Sequence, residues 1–182
     1  MPEQPASWYD QVFATSAHYR LPANKCRYFP MWRQILPWLA GKHVLDLGCG
    51  PGQFGSLCLE AGINYRGVDF SPEAVRMAGN VTGRPELFTV DNVMTCPLGD
   101  ADCIVMLEML EHINDDLGCV SRVPAGLMVV LSVPFGGPSK AHVRGFSSSD
   151  EVAARYSPLV DIAEQREIGR SGRWFFLHGV RR

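Results

Sequence analysis

The sequence predicts a doubly wound α/β fold: a mostly parallel, seven-stranded sheet with helices on both faces and a C-terminal antiparallel strand. Three observations predict it. The apolar run His43–Leu47 enters a loop with glycine at 48, 50 and 52; a helix-length segment and a second apolar run closing on Asp69 follow, making one βαβ unit. Apolar runs and helical segments keep alternating as far as Val133. The remaining residues read as a closing pair of strands, which brings one strand in antiparallel.

Residues 1–40 are rich in aromatics and proline (Trp8, Tyr9, Phe13, Tyr19, Tyr28, Phe29, Pro30, Trp32), and helical spacing over 8–17 and 31–39 makes them a helical cap. Those rings serve either as packing or as the wall of a substrate pocket. Residues 41–182 form the core of what reads as a single domain. His43–Leu47 is nearly continuous in apolar residues, as a strand covered on both faces must be. Residues 52–61 form a helix with Phe54, Leu57, Cys58 and Ala61 on one face and Gly62 at its C′ position. The second strand covers 64–68. Ser71-Pro72-Glu73 then supplies an N-cap, a proline at the first helical position and a first-turn acid for a helix running to about residue 79. Strands follow at 86–90 and 101–107, and a helix over about 114–123 leads through Pro124-Ala125-Gly126 into a strand at 127–133. After a loop over 134–146, Ser147-Ser148-Ser149-Asp150-Glu151 signals a helix over 149–156. Strands at 159–167 and 173–180, joined by a turn at 169–172, close the chain.

The 182 residues carry a net charge of −2, with 46% hydrophobic and 20% charged residues, which gives no general attraction to nucleic acid or to an anionic membrane. Arg166, Arg170, Arg173, Arg181 and Arg182 cluster late in the chain, as a solvated edge that discourages strand aggregation or as a patch for an anionic substrate. The six cysteines are scattered without a Cys-x-x-Cys pair, so neither a zinc site nor a disulfide framework is indicated. With no secretory pattern at the start and no apolar run long enough to span a bilayer, a cytoplasmic location is expected. Oligomeric state is left open.

Glycine at 48, 50 and 52 lets a ligand lie against the backbone at the strand ends. A nicotinamide dinucleotide site wants Gly-x-Gly-x-x-Gly, but Gln53 stands where its third glycine belongs, and Asp46 would sit badly beside a pyrophosphate. A cationic, phosphate-free nucleoside suits this loop better. Asp69 lies where a carboxylate accepts hydrogen bonds from ribose hydroxyls. The stretch Asp46-Leu47-Gly48-Cys49-Gly50-Pro51-Gly52 resembles motif I of the class I S-adenosylmethionine-dependent methyltransferases, over roughly residues 41–135. The resemblance implies a Rossmann-like core with S-adenosylmethionine as cofactor. Asp46 and the backbone around Gly48 and Gly50 would face its methionine end, Gly52 would be a further cofactor contact, Asp69 would hold the ribose, and Phe70 would pack on the adenine. Asp91, ending the third strand, would take the adenine amine, with the backbone amide of Asn92 on the ring; the alternative is a turn-forming Asp-Asn pair. Leu107, ending the fourth strand, is a further cofactor contact.

Glu108-Met109-Leu110-Glu111-His112 follows the fourth strand directly. If the backbone turns helical here, Glu108, Glu111 and His112 stand at i, i+3 and i+4 and share a face. Two carboxylates and an imidazole suit a divalent metal, and His142 in the loop after the fifth strand would add a ligand. The run resembles the ubiquinone-pathway O-methyltransferases and the enzymes that methylate the terminal 2′-hydroxyl of small RNAs, the latter through two Glu and two His on a metal. Three readings stand: a metal site at Glu108, Glu111, His112 and His142; a metal-free site with His112 or His142 as general base and Glu108 beside it; or a structural segment. No Asn-Pro-Pro-Tyr-type segment for an amine acceptor occurs, and Ser132-Val133-Pro134-Phe135 would shape the pocket.

The resemblance therefore implies methyl transfer to the hydroxyl of a small-molecule or glycan-type substrate. The alternatives are RNA ribose 2′-O-methylation, which the modest negative charge disfavours, a non-catalytic cofactor-binding module, and an NAD-dependent oxidoreductase, which the loop disfavours.

Overall fold

The computed structural model describes residues 2–137, 140–168 and 174–182. Its strands are β1 (His43–Leu47), β2 (Asn64–Asp69), β3 (Phe88–Val90), β4 (Cys103–Leu107), β5 (Met128–Pro134), β6 (Val160–Ile168) and β7 (Trp174–Arg181), in the sheet order β3-β2-β1-β4-β5-β7-β6. β1–β2, β2–β3 and β4–β5 pair in parallel, while β7 runs antiparallel to both β5 and β6. The fold is thus α/β, a mostly parallel seven-stranded sheet flanked by helices, with β7 reversed. No helix among the described residues is long and apolar enough to cross a membrane. The chain resolves into two compact units: Pro5–Ala101, and Asp102–Arg182 together with the residues up to Gln4.

In the unit Pro5–Ala101, α1 (Ala6–Thr15), α2 (Phe29–Ile35), α3 (Gln53–Glu60) and α4 (Pro72–Thr82) accompany β1, β2 and β3. Many of the early aromatics are packing. Phe13 and Trp32 are buried, and a chain of ring contacts runs Trp32–Phe54, Phe54–Tyr65, Tyr65–Phe88 at 5.8, 6.4 and 6.0 Å. The helix expected to stop near Gly79 continues to Thr82 and ends on Gly83, whose φ of +67° is the left-handed stop. Gly79 is small for a different reason: a Cβ there would stand 2.9 Å from Pro85. β3 begins at Phe88 rather than 86, because Pro85–Leu87 winds into a 3₁₀ turn.

Gly52, at the start of α3, has φ +80°, and an added Cβ would lie 2.6 Å from the Ala78 Cα of α4. Backbone cannot yield as a side-chain tip can. Gly52→Ala is therefore expected to lose more than the roughly 1–2 kcal/mol of the left-handed strain alone, read as a fall in denaturant midpoint. An unchanged midpoint would contradict this packing.

In the unit Asp102–Arg182, α5 (Asp116–Ser121) and α6 (Ser149–Tyr156) accompany β4 to β7. α6 occupies the span its capping signals predict: Ser148 Oγ accepts from Glu151 N–H at 3.2 Å, and the Glu151 carboxylate accepts the Ser147 N–H at 2.8 Å. Asp116 is fully buried and paired with cations, accepting from Arg155 at 2.6 and 2.7 Å and from Tyr156 Oη at 2.9 Å, with Arg144 at 3.1 Å. The predicted turn at 169–172, with Arg170 and Arg173, lies outside the described residues. Arg166 pairs with Glu164, Arg182 with Asp161, and Arg181 donates to the backbone carbonyls of Val120, Ser121 and Leu159. These three arginines are bound into the sheet's own polar network.

Candidate functional site

In the unit Pro5–Ala101, the glycine loop is fastened across the end of β2. Gly48 and Cys49 N–H both donate to Val68 O, at 2.8 and 3.0 Å. Gly50 N–H donates to Asp69 Oδ2 and Ser71 N–H to Asp69 Oδ1, each at 2.9 Å. Asp69 is only 5% exposed, and burial pushes its carboxyl up to about 6 against the lowering effect of those two N–H groups. Each oxygen still has lone pairs to offer.

Asp46 lies deeper. Its Oδ2 accepts the Tyr65 phenol at 2.7 Å, and its Oδ1 is a buried oxygen with no hydrogen-bond partner. Burial pushes this carboxyl up to about 7, with the Tyr65 hydroxyl opposing and the Asp69 charge adding. Gly50, at φ +54°, faces open space: an added Cβ would meet nothing within 4 Å. Two buried, incompletely satisfied carboxylates beside an open, glycine-lined backbone fit a ligand carrying vicinal hydroxyls and a positive charge. They do not fit a pyrophosphate. S-adenosylmethionine carries both kinds of group.

The remaining residues expected near such a ligand are also placed. Gln53 is buried because its Nε2 donates to Leu21 O at 2.6 Å and His18 O at 3.4 Å, tying the segment before α2 to the loop. That is the structural reason this position is not a glycine. Phe70 follows Asp69, is 39% exposed and stands 5.3 Å from the Tyr9 ring. Asp91 N–H donates to Asp69 O at 3.1 Å, which seats Asp91 beside Asp69. Its Oδ1 accepts Asn92 N–H and the Asn92 Oδ1 accepts Met94 N–H, at 2.7 and 2.8 Å, so this pair also builds the turn after β3.

In the unit Asp102–Arg182, Leu107 ends β4 half-buried. The helical turn considered at Glu108 does not form. Glu108 is left-handed at φ +54°, and helical hydrogen bonding is confined to a 3₁₀ turn at Leu110–His112. Glu108 N–H donates to Ser132 Oγ at 3.0 Å while that hydroxyl donates to Glu108 Oε1 at 2.9 Å. The expected i, i+3, i+4 face is therefore absent. Among the described residues, the group with metal-ligand geometry is Glu111, His112 and His142, with ligand atoms all within 4.8 Å of one another and Glu108 not a member. Non-glycine left-handed backbone costs about 1–3 kcal/mol and concentrates at functional sites.

His142 reaches this cluster because its loop is laced to the 3₁₀ turn. Val143 N–H donates to Glu111 O at 2.8 Å, His112 Nδ1 donates to Ala141 O at 2.7 Å, and the Arg144 guanidinium donates to Leu110 O, Ile113 O and Asn114 O. The proton on Nδ1 leaves Nε2 of the neutral His112 ring as an acceptor. That Nε2 is 3.6 Å from Glu111 Oε1, and the His112 and His142 rings meet edge-on at 4.9 Å. Glu111 is 1% exposed, its Oε2 has no hydrogen-bond partner, and burial pushes its carboxyl up to about 8.

Sequence reasoning put Ser132 near the pocket without its bond to Glu108, and missed Tyr65 and Arg144. A phenol on the buried face of β2, paired with the strand that carries Asp46, was a signal for Tyr65. Nothing local marked Arg144.

A methyltransferase-domain family model matches residues 15–127. An uncharacterized methyltransferase of Mycobacterium bovis is 35% identical over 137 residues, covering 65% of this chain and 54% of that protein. A ubiquinone biosynthesis O-methyltransferase of Ralstonia nicotianae is 34% identical over 111 residues, covering 56% and 47%. The chain thus spans about half the length of the curated relatives it matches. Among solved structures, magnesium protoporphyrin IX methyltransferase from Synechocystis with bound S-adenosylmethionine superposes with a TM-score of 0.71, at 17% identity and 97% coverage of both chains.

Proposed function

The chain belongs to the class I S-adenosylmethionine-dependent methyltransferase family, and from that premise we propose that it transfers a methyl group from S-adenosylmethionine to a hydroxyl of a small molecule. The observation that carries the proposal is Asp69, buried at the tip of β2 and bracketed by the Gly50 and Ser71 N–H groups. Bound there, S-adenosylmethionine supplies a methyl already activated on a sulfonium. Asp69 accepts from the ribose hydroxyls, Phe70 packs on the adenine, Asp91 takes the adenine amine with the Asn92 amide on the ring, Leu107 adds an apolar contact, and Asp46 faces the cationic methionine end.

What remains is to position an acceptor oxygen and remove its proton. Positioning alone supplies roughly 7–11 kcal/mol. The Nε2 of His112, held as an acceptor by the Nδ1–Ala141 bond, is the general base, with His142 beside it. Glu108, held by Ser132, orients the acceptor. The similarity to a ubiquinone biosynthesis O-methyltransferase supports a hydroxyl over an amine. A second reading rests on the ligand atoms of Glu111, His112 and His142: one carboxylate and two imidazoles would hold a divalent cation and lower the acceptor's pKa.

The test is incubation of the full chain with S-adenosylmethionine and a panel of phenols, catechols, sugars and matching amines, with and without chelator. A product about 14 Da heavier from a hydroxyl acceptor is expected. Methylation of amines alone would overturn the acceptor assignment. Full activity of metal-free enzyme in chelator would remove the cation reading, and loss restored by a divalent metal would establish it.

A further inference from the structure

The mechanism leaves Asp10 unused, yet the way it is held is unusual for a residue on a surface helix. The Ser71 hydroxyl donates to Asp10 Oδ1 at 2.5 Å, and Glu73 N–H donates to the same oxygen at 3.2 Å. Ser71 is completely buried; its Oγ also caps α4 by accepting Ala74 N–H at 3.1 Å, and its own N–H bonds Asp69. One residue earlier, the Tyr9 ring lies against Phe70. Consecutive residues of α1 therefore grip consecutive residues of the turn Asp69-Phe70-Ser71, one through a ring and one through a carboxylate.

We infer that Tyr9 and Asp10 are positioning residues that hold the nucleoside-binding turn through Phe70 and Ser71, so that α1 docking and cofactor binding are coupled. The inference rests on the cofactor reading above. The contacts fall on Phe70, which that reading sets on the adenine, and on Ser71, whose N–H bonds the ribose carboxylate Asp69, and they join segments more than 60 residues apart in sequence.

The charge arrangement argues that this is more than helix packing. Asp10 opposes ionisation of Asp69. The charge on α1 is thereby linked to the charge on Asp69. Asp10 also meets the N-terminal end of α4, an 11-residue helix whose dipole favours an anion there. The charged and titratable groups around Asp69 are Asp46 on β1, Cys49 in the glycine loop, Asp10 on α1 and Ser71's neighbour Glu73, which is itself paired with Arg76. Ribose hydroxyls bind the ionised carboxylate. Because Asp69 is raised to about 6, affinity is full above that pH and is lost as pH falls through it. Removing the Asp10 charge lowers the Asp69 value and moves this loss to more acid pH.

The experiment is calorimetric titration of the full chain with S-adenosylhomocysteine from pH 5 to 8, together with backbone hydrogen exchange. Asp10→Ala is expected to weaken binding about tenfold at pH 7.5, the size of one lost hydrogen bond to a charged group. Asp10→Asn keeps an acceptor for Ser71 and is expected to bind within about twofold of the native chain at pH 8, with its acid loss displaced downward. S-adenosylhomocysteine is expected to slow exchange across Ala6–Thr15 about tenfold in the native chain. Native-like affinity in a folded Asp10→Ala variant, or exchange of α1 unaffected by ligand, overturns the coupling while the cofactor reading stands. If Asp10→Ala does not fold, an unshifted profile in Asp10→Asn overturns it. If the native chain does not bind S-adenosylhomocysteine, the cofactor reading fails first.

Discussion

Asp69→Ala is expected to weaken S-adenosylmethionine binding by about 10²–10⁴-fold. Two ribose hydroxyls donating to a buried, charged acceptor contribute about 1.5–3 kcal/mol each, or about 3–6 kcal/mol together. The substitution also strips the acceptors from Gly50 and Ser71 N–H, so the loop loses the group that shapes it. Asp69→Asn separates the two effects. It retains one oxygen for a loop N–H but turns the other into a donor facing an N–H, so binding is expected to fall almost as far while the fold persists. Calorimetry with circular dichroism on the same samples checks this. Affinity within threefold of native in either folded variant would remove Asp69 from the site.

His112→Ala is expected to act on a different step. Loss of a general base lowers kcat by about 10²–10⁴-fold, whereas affinity for S-adenosylhomocysteine should stay within about twofold of native. The separation follows from the roles proposed: Asp46 and Asp69 hold the cofactor, whereas His112, fixed by its bond to Ala141 O, takes the acceptor's proton. Steady-state kinetics beside calorimetry reads both. The pH profile gives a further check, since an imidazole base should lose activity on acidification and His112→Ala should lose that limb. Unchanged kcat would return Glu111 and His112 to a structural role, which the Val143–Glu111 and His112–Ala141 bonds already show they can fill.

How much of this was legible in the sequence depends on how local each determinant is. The order of strands and helices could be read because each obeys a short-range rule: the apolar period, the Ser71-Pro72-Glu73 cap, the Ser148 to Glu151 capping box. The glycine loop was readable for the same reason, since positive φ at 48, 50 and 52 is a property of single residues. Failures came where a distant contact overrode the local signal. Gly79 looked like a helix end and is instead a packing site for Pro85. Glu108 looked like the first residue of a helical face and is left-handed, held by Ser132 from β5. The meeting of His142 with Glu111 and His112 could be expected from the loop's place after β5, whereas the bonds across some 30 residues that secure it follow from no spacing rule. Asp10 gave no signal at all, because its meaning comes only from Ser71 and Glu73.

The central claim is that the carboxylate at the tip of β2 grips the sugar of a cationic, phosphate-free nucleoside. A crystal structure of the chain grown with S-adenosylhomocysteine measures this directly. The expected result places both ribose hydroxyl oxygens within about 3.2 Å of the Asp69 oxygens, with the methionine end over Gly48 and Gly50. A nucleoside bound elsewhere, or ribose oxygens out of reach of Asp69, would contradict it.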